Sequence, residues 1–257
     1  MTLPAPAAGF RWTSEPWGPM LRCTPLEAVA RHGFTSRQLG LRAGDTAPAA
    51  WTSAAASVGC LVPQLARVRQ VHGAEVHVVR AADLGAPVPE ADAAVTNVPG
   101  VALAVVAADC VPLLLGDPLT GAVAAVHAGW RGTAADAAGA AVAALRREFG
   151  VSPASLVAAI GPSIGACCYE VGEELLTAFA AAGHSSVDLA EWFARDRAGR
   201  LRLNLWQANA DLLIRAGVAR ARVHVAGLCT KTHVDVLESY RVEGDRAGRM
   251  AAIIAAP

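Results

Sequence analysis

The run from Cys110 to His127 constrains the fold of this chain more tightly than any other. Val111–Leu115 is apolar, Asp117-Pro118-Leu119-Thr120 carries turn residues, and Ala122–Val126 is apolar again, which is the pattern of a β-hairpin. If Gly116 pairs with Gly121 across the four residues between them, Cys110 lies directly opposite His127. Directly opposed Cβ atoms are roughly 4.5–5.5 Å apart, so the thiol and the imidazole can reach one metal ion. A slip of one residue would put them on opposite faces, so the turn decides the chemistry.

A third ligand is at hand in His72, within RQVHGAEV. Two imidazoles and a thiolate are a natural set for Zn²⁺, with a fourth position open to water or substrate. Two other readings of Cys110 compete: a buried structural thiol at a strand end, and a nucleophile activated by His127. The Cys–His pair does not separate ligand from nucleophile. Adding His72 tilts the balance toward metal, because a nucleophile needs only one base. His77 is close in sequence and could replace His72, although Val76-His77-Val78 alternates as a half-buried strand. His32, His184, His224 and His233 have no partner motif and read as structural or surface residues.

After His127, the segment Ala128-Gly129-Trp130-Arg131-Gly132 turns into a helix that Thr133 can cap. Free N–H groups at a helix start favour an anion, and Arg131 adds a cation able to grip phosphate. The competing reading is a tight turn with Arg131 in a structural salt bridge. Arg37 is a further cationic candidate. Asp109, next to Cys110, is a candidate for orienting a ligand or moving a proton. Gly161-Pro162-Ser163-Ile164-Gly165 is a second strand-to-helix junction that could wall a pocket.

Strands are expected at Arg67–Val71, Val76–Val79, Val101–Ala107, Val111–Leu115, Ala122–His127, Leu156–Ile160 and Val223–Ala226, and helices at Thr133–Phe149, Glu170–Ala182 and Leu205–Ala216. Strands that adjoin one another with helices interspersed predict an α/β (α+β) fold, a single layered domain over residues 1–257 with a mixed sheet and flanking helices. Only 17% of the 257 residues are charged and the formal net charge is zero, which gives nucleic-acid binding no support. No apolar run of about 18 residues lacks a charge, so no membrane span is expected. The N-terminal MTLPAPAAGFRW lacks the pattern of a secretory signal, which makes the cytoplasm the default location. The six cysteines, at irregular spacing with no CxxC, read as reduced.

Taken together, Gln70–Gly73 (QVHG), Ala108–Cys110 (ADC), His127–Gly132 (HAGWRG) and Ile160–Gly172 (IGPSIGACCYEVG) resemble the YfiH-like laccase-domain family. So do His32–Arg37, Gly227–Thr230, Ser239–Arg241 and Gly248–Met250, in order along nearly the whole chain. The chain departs from the family at Leu237-Glu238, where aromatic residues are usual, and at Gln38-Leu39-Gly40, where Gly-Gly is usual.

The resemblance implies a layered α/β fold with zinc held by His72, Cys110 and His127. It implies purine nucleoside phosphorylase activity on adenosine, inosine and methylthioadenosine, with adenosine deamination as a side activity. The partners would then be a small nucleoside and phosphate. Older descriptions of the family as multicopper polyphenol oxidases, and the link of some bacterial members to peptidoglycan editing, supply two alternatives. A laccase needs a type 1 copper and a trinuclear cluster, built mostly from His-x-His pairs; this chain has seven histidines and no such pair. One His₂Cys site could still bind Cu²⁺, which outcompetes zinc at many N/S sites. In the editing alternative, Cys110 would attack an amide with His127 as base. A binding or scaffold protein that merely keeps the fold is disfavoured by the intact ligand triad.

Overall fold

Apolar runs without alternation mark strands buried on both faces, and in the computed structural model, which describes residues 2–42 and 47–257, they assemble into two six-stranded sheets. In chain order the strands are β1 (Phe10–Glu15), β2 (Gly18–Cys23), β3 (Arg31–Thr35), β4 (Leu65–Arg67), β5 (Val76–Val78), β6 (Ala93–Thr96) and β7 (Ala102–Ala107). They continue with β8 (Val111–Gly116), β9 (Val123–Ala128), β10 (Val157–Ile160), β11 (Phe193–Arg195), β12 (Leu201–Leu203), β13 (Val223–Val225) and β14 (Met250–Ala255). One sheet runs β1-β2-β3-β14-β7-β4 and the other β13-β10-β8-β9-β6-β5, with β11-β12 a separate ribbon. Pairing is mostly antiparallel, with parallel neighbours at β4–β7, β5–β6 and β10–β13.

The two sheets stack, and each sends alternate side chains to a different layer. Leu103, Val105, Leu114, Ala125, Ala159 and Ile254 fill the space between them. On the outer face of the second sheet, Val111, Leu113, Leu115, Ala124 and Val126 pack under the helices Ala137–Phe149 and Leu205–Arg215. On the outer face of the first, Ala102, Ala104, Ala251 and Ile253 pack under the helix Pro48–Ser57. This is the mixed α/β architecture with flanking helices that the sequence predicts. Among the described residues, no helix is long and apolar enough to cross a membrane.

The central hairpin forms in a shifted register. β8 and β9 pair Gly116 with Val123 and Pro112 with His127, and the loop closes where the Asp117 N–H donates to the Ala122 carbonyl. Gly121 enters the loop instead of pairing with Gly116, in the left-handed conformation (φ 71°) that glycine adopts without strain. Asp117 fixes this loop by accepting from the N–H and hydroxyl of Thr120. Cys110 therefore does not stand opposite His127. The shift is two residues, so the two side chains keep to one face.

The expected helix Thr133–Phe149 divides into Trp130–Ala134 and Ala137–Phe149. Asp136 sits between them in the left-handed region (φ 57°) and caps the second helix by accepting from the Gly139 N–H. The cap signal is real, but it belongs to Asp136 rather than Thr133. The helix expected from Glu170 begins at Glu173, because Glu170 bridges Arg202 and Gly172 takes the extended cap position. The hairpin β1–β2, strands β3, β6 and β14, and the helices Pro48–Ser57 and Ser186–Trp192 lie outside the expected elements. Leu114 has no exposed surface and sits at the centre of the inter-sheet layer. Leu114→Ala is expected to lower unfolding stability by about 3 kcal/mol, the usual cost of a cavity at such a site, read from a urea titration.

Candidate metal centre

Three donors meet where the β7–β8 turn, the end of β9 and the loop before β5 converge. The ligand atoms of His72, Cys110 and His127 all lie within 4.8 Å of one another. The two imidazole rings stand edge to face with centroids 4.9 Å apart. His127 is buried, Cys110 half-buried and His72 exposed, so the cluster opens to one side. Spacing of this kind with an open face suits a four-coordinate ion that keeps one position for water or substrate.

Each donor is positioned by a specific local feature. Gly129 stands opposite Cys110 in the extended hairpin, and a Cβ there would come within 2.7 Å of the Cys110 sulfur, so only glycine leaves room for the thiol. His72 adopts φ 64°, a conformation uncommon for a residue with a side chain. What holds it there is Asp92, a buried carboxylate at the start of β6 that accepts the backbone N–H groups of Val71, His72 and Gly73 at 3.2, 3.0 and 2.6 Å. The same carboxylate meets Nδ1 of His127 at 2.9 Å, which leaves Nε2 for Cys110 or a metal. Gln70 ties the loop to β7 through two hydrogen bonds with the Val106 backbone, each 2.8 Å.

The electrostatics follow from this packing. Burial opposes ionisation of Cys110, but hydrogen bonds from His127 and His72 outweigh it and bring the thiol pKa down to about 6. Burial also opposes charge on His127, yet Asp92 and Cys110 together raise it to about 9. Without metal, the pair at neutral pH is thiolate and imidazolium. Burial pushes the Asp92 carboxyl up, and hydrogen bonds from His127, Gly73 and His72 more than offset this, leaving it below its ordinary value.

Asp92 is the residue that sequence reasoning missed. The signal was a lone carboxylate among the alanines of a strand, which must find donors if it is buried. Asp109 lies in the turn just before Cys110. It takes φ 91°, and its carboxylate accepts the hydroxyls of Thr230 and Ser239 and the Arg241 N–H at 2.5, 2.8 and 2.6 Å. It lines the cavity, but its hydrogen bonds fasten the C-terminal segment to the metal-side turn.

The expected cations separate. Arg37 is held by Glu243, Glu238 and the Val234 carbonyl and does not line the cavity. Arg131 is exposed, lies over the Trp130 ring at 4.3 Å and also stays out of the lining. The helix that Trp130 begins has five residues. In place of Arg37 and Arg131, Arg241 and Arg249 line the cavity next to the triad. Arg241 donates to the Glu170 carbonyl and covers Tyr169, and Arg249 donates to the Ala247 and Gly248 carbonyls. Neither has a carboxylate partner among the described residues. The cavity, about 760 Å³, contains the triad together with Trp51, Val88, Ala104, Val106 and Tyr169.

Comparison with known proteins places the chain in a family. The family model described as multi-copper polyphenol oxidoreductase laccase matches residues 22–257. A Deinococcus radiodurans protein named purine nucleoside phosphorylase is 39% identical over 258 residues, covering 95% of each chain. A protein named adenosine deaminase RL5, from an unknown prokaryotic organism, is 35% identical over 76% of each chain. Among solved structures, the Bacillus licheniformis hypothetical protein YfiH superposes with a TM-score of 0.87 at 27% identity, covering 98% of this chain and all of that one.

The depressed thiol gives a direct test of the centre. In chelator-treated protein, alkylation of Cys110 by iodoacetamide, followed by peptide mass spectrometry, is expected to rise with pH through about 6. A rise centred near the ordinary thiol value would show that the imidazoles do not act on the sulfur. Asp92→Asn, which loses the charge that fixes His127, is expected to weaken zinc affinity by about 10–100-fold.

Proposed function

This chain belongs to the multi-copper polyphenol oxidoreductase laccase family, and we propose that within it the chain is a zinc-dependent purine nucleoside phosphorylase with adenosine deamination as a side activity. The reading takes residues 1–257 as one catalytic domain acting in the cytoplasm on adenosine, inosine or methylthioadenosine with phosphate. The observation that carries it is the opening of a His₂Cys donor set into a cavity that also presents Tyr240 and the guanidiniums of Arg241 and Arg249, which have no carboxylate partner among the described residues. Its volume of about 760 Å³ lies within the range of small-molecule sites. The names of the relatives point the same way.

His72, Cys110 and His127 would hold the ion, and their chemistry fits zinc: a thiolate already favoured at neutral pH and two imidazoles, one oriented by a carboxylate. Zinc bound there supplies Lewis acidity to an oxygen of phosphate or water. The protein's own groups do the rest. Arg241 and Arg249 attract and orient the phosphate by charge-assisted hydrogen bonds, the task first assigned to Arg131 and Arg37. Val88, Val106 and the half-exposed Tyr240 line the cavity and give a purine an apolar and aromatic surface to pack against, while the Trp51 ring lies beneath the Arg67 guanidinium. Asp109 positions Arg241 through its backbone N–H. The balance of phosphorolysis is simple: a phosphate oxygen bonds to the anomeric carbon, the glycosidic bond breaks, and the purine leaves with a proton.

One observation favours a second reading. Cys110, His127 and Asp92 also form a nucleophile–base–orienter series, the arrangement of a cysteine hydrolase acting on an amide such as that of a cell-wall precursor. Metal content separates the two, because zinc occupies the sulfur that the nucleophile would use.

The test is phosphate-dependent release of adenine from adenosine, with metal measured in the same preparation. About one zinc per chain at this centre and formation of ribose 1-phosphate are expected. Cys110→Ala should remove both. Arg241→Ala should raise KM for phosphate by about tenfold or more, the effect of one lost charge-assisted hydrogen bond. Near wild-type turnover by metal-free Cys110→Ala protein would sink the metal reading. Rapid alkylation of Cys110 in untreated protein, with no zinc and no adenine release, would favour the hydrolase.

A further inference from the structure

A second group of soft donors lies apart from the His72–Cys110–His127 centre. The sulfurs of Cys167, Cys168 and Cys229 all lie within 4.8 Å of one another, and those of Cys167 and Cys168 are 3.6 Å apart. Sulfurs bound to one ion at ~2.3 Å are separated by roughly 3.8–4.0 Å, so the group needs only small adjustments to surround one. The 3.6 Å separation is a contact between thiols, and none of the three is in a disulfide.

The backbone builds this group deliberately. Ser163 and Cys229 pair as a parallel bridge, with the Thr230 N–H donating to the Ser163 carbonyl at 3.1 Å. The Gly165 N–H points at the Cys229 sulfur at 3.3 Å, and the N–H groups of Cys168 and Tyr169 both return to the Gly165 carbonyl at 2.9 Å, curling the chain so that its two cysteines face the third. Trp206 closes over Gly165, where a Cβ would come within 2.8 Å of its ring and 3.3 Å of the Cys167 sulfur. The position therefore requires glycine to keep the thiols together.

The geometry points to a second metal site, in which Cys167, Cys168 and Cys229 hold one soft d¹⁰ cation as a three-thiolate set. Thiolates select Cu⁺ and Zn²⁺ over harder ions. Cu⁺ is satisfied by three sulfurs, and Zn²⁺ would take a water on the exposed side of Cys167 as its fourth ligand. The three thiols differ in how readily they ionise. Burial disfavours ionisation of Cys229, but backbone N–H groups of Gly165, Thr232 and Lys231 and the Cys167 thiol more than compensate and lower its pKa. Burial and the neighbouring sulfurs push Cys167 up to about 12. Cys229 is thus the readiest of the three to give up its proton, and a cation bound to the sulfurs would displace the protons of all three to solvent.

The segment that carries Cys167 and Cys168 also carries Ile164 and Tyr169, which line the cavity of the first centre. An ion on the three sulfurs would brace that wall by cross-linking it to the Cys229–Lys231 turn. It would serve structure rather than turnover.

The test uses full-length Cys110→Ala protein, stripped with chelator, so that the first centre is disabled. It is titrated separately with Cu⁺ under anaerobic conditions and with Zn²⁺, each against a competing chelator, and followed by proton release and, for Cu⁺, by sulfur-to-metal charge-transfer absorption. One equivalent of tightly held ion is expected, and the ion that survives the stronger competitor identifies the metal the site is made for. Adding Cys167→Ser, at an exposed position that does not endanger the fold, should weaken binding at least tenfold; adding Cys229→Ser should abolish it. Loss of neither ion's binding in those two variants, or no binding of either ion by the Cys110→Ala protein, would overturn the site. Both outcomes leave the phosphorylase assay of the unaltered protein untouched.

Discussion

The site depends on one buried carboxylate. Asp92 has no exposed surface and receives four hydrogen-bond donors, three from consecutive backbone N–H groups and one from an imidazole. A carboxylate taken out of water costs several kcal/mol unless its lone pairs are filled, and here they are filled. The same four contacts hold His72 in its left-handed conformation, a strain of order 1–3 kcal/mol, and fix which nitrogen of His127 faces the cavity. Two ligands from different parts of the chain are thus set by one side chain that touches no substrate.

The third ligand depends on the other end of the molecule. Cys110 follows Asp109 in a turn whose positive φ is held by bonds to Thr230, Ser239 and Arg241. Arg241 in turn lines the cavity. The strands on either side of the turn, β7 and β8, belong to different sheets, so the turn lies where the sandwich opens. The thiol and the Arg241 side of the cavity are therefore linked through Asp109, and displacing the C-terminal segment would disturb both together.

Much of this was legible in the sequence, for a geometric reason. The hairpin register differs by two residues from the one its turn suggests, and because side chains alternate with period two, Cys110 and His127 still share a face. The triad survives an error that a one-residue slip would have made fatal. Asp92 was not legible, since its partners His72 and His127 are remote in sequence and its neighbours are alanines. Arg37 sits beside a recognisable motif, yet whether a cation faces the cavity or a carboxylate is decided by contacts remote in sequence, such as those of Arg37 with Glu238 and Glu243. Strand β14 went unseen because Met250–Ala255 is buried on both faces, and a short continuous apolar run does not declare itself as strand or helix.

The family description names multi-copper chemistry, and the positions of the histidines argue against that chemistry in this chain. His32 is buried and bonded between the Cys23 N–H and the Ala30 carbonyl, and burial lowers its pKa to about 4. His184 contacts the Ala134 carbonyl and packs against Trp192 and Phe179. His77 lies in β5 and His224 in β13, the opposite edges of the second sheet. Among the described residues, the only groups of three or more metal-capable His, Cys, Asp or Glu side chains are the His72–Cys110–His127 set and the three-cysteine set, and neither contains more than two imidazoles. A trinuclear cluster needs many imidazoles converging on one point, and this fold spreads them across separate layers. What it concentrates instead is one His₂Cys centre beside arginines and apolar side chains, an arrangement suited to an ion acting as a Lewis acid on a polar substrate.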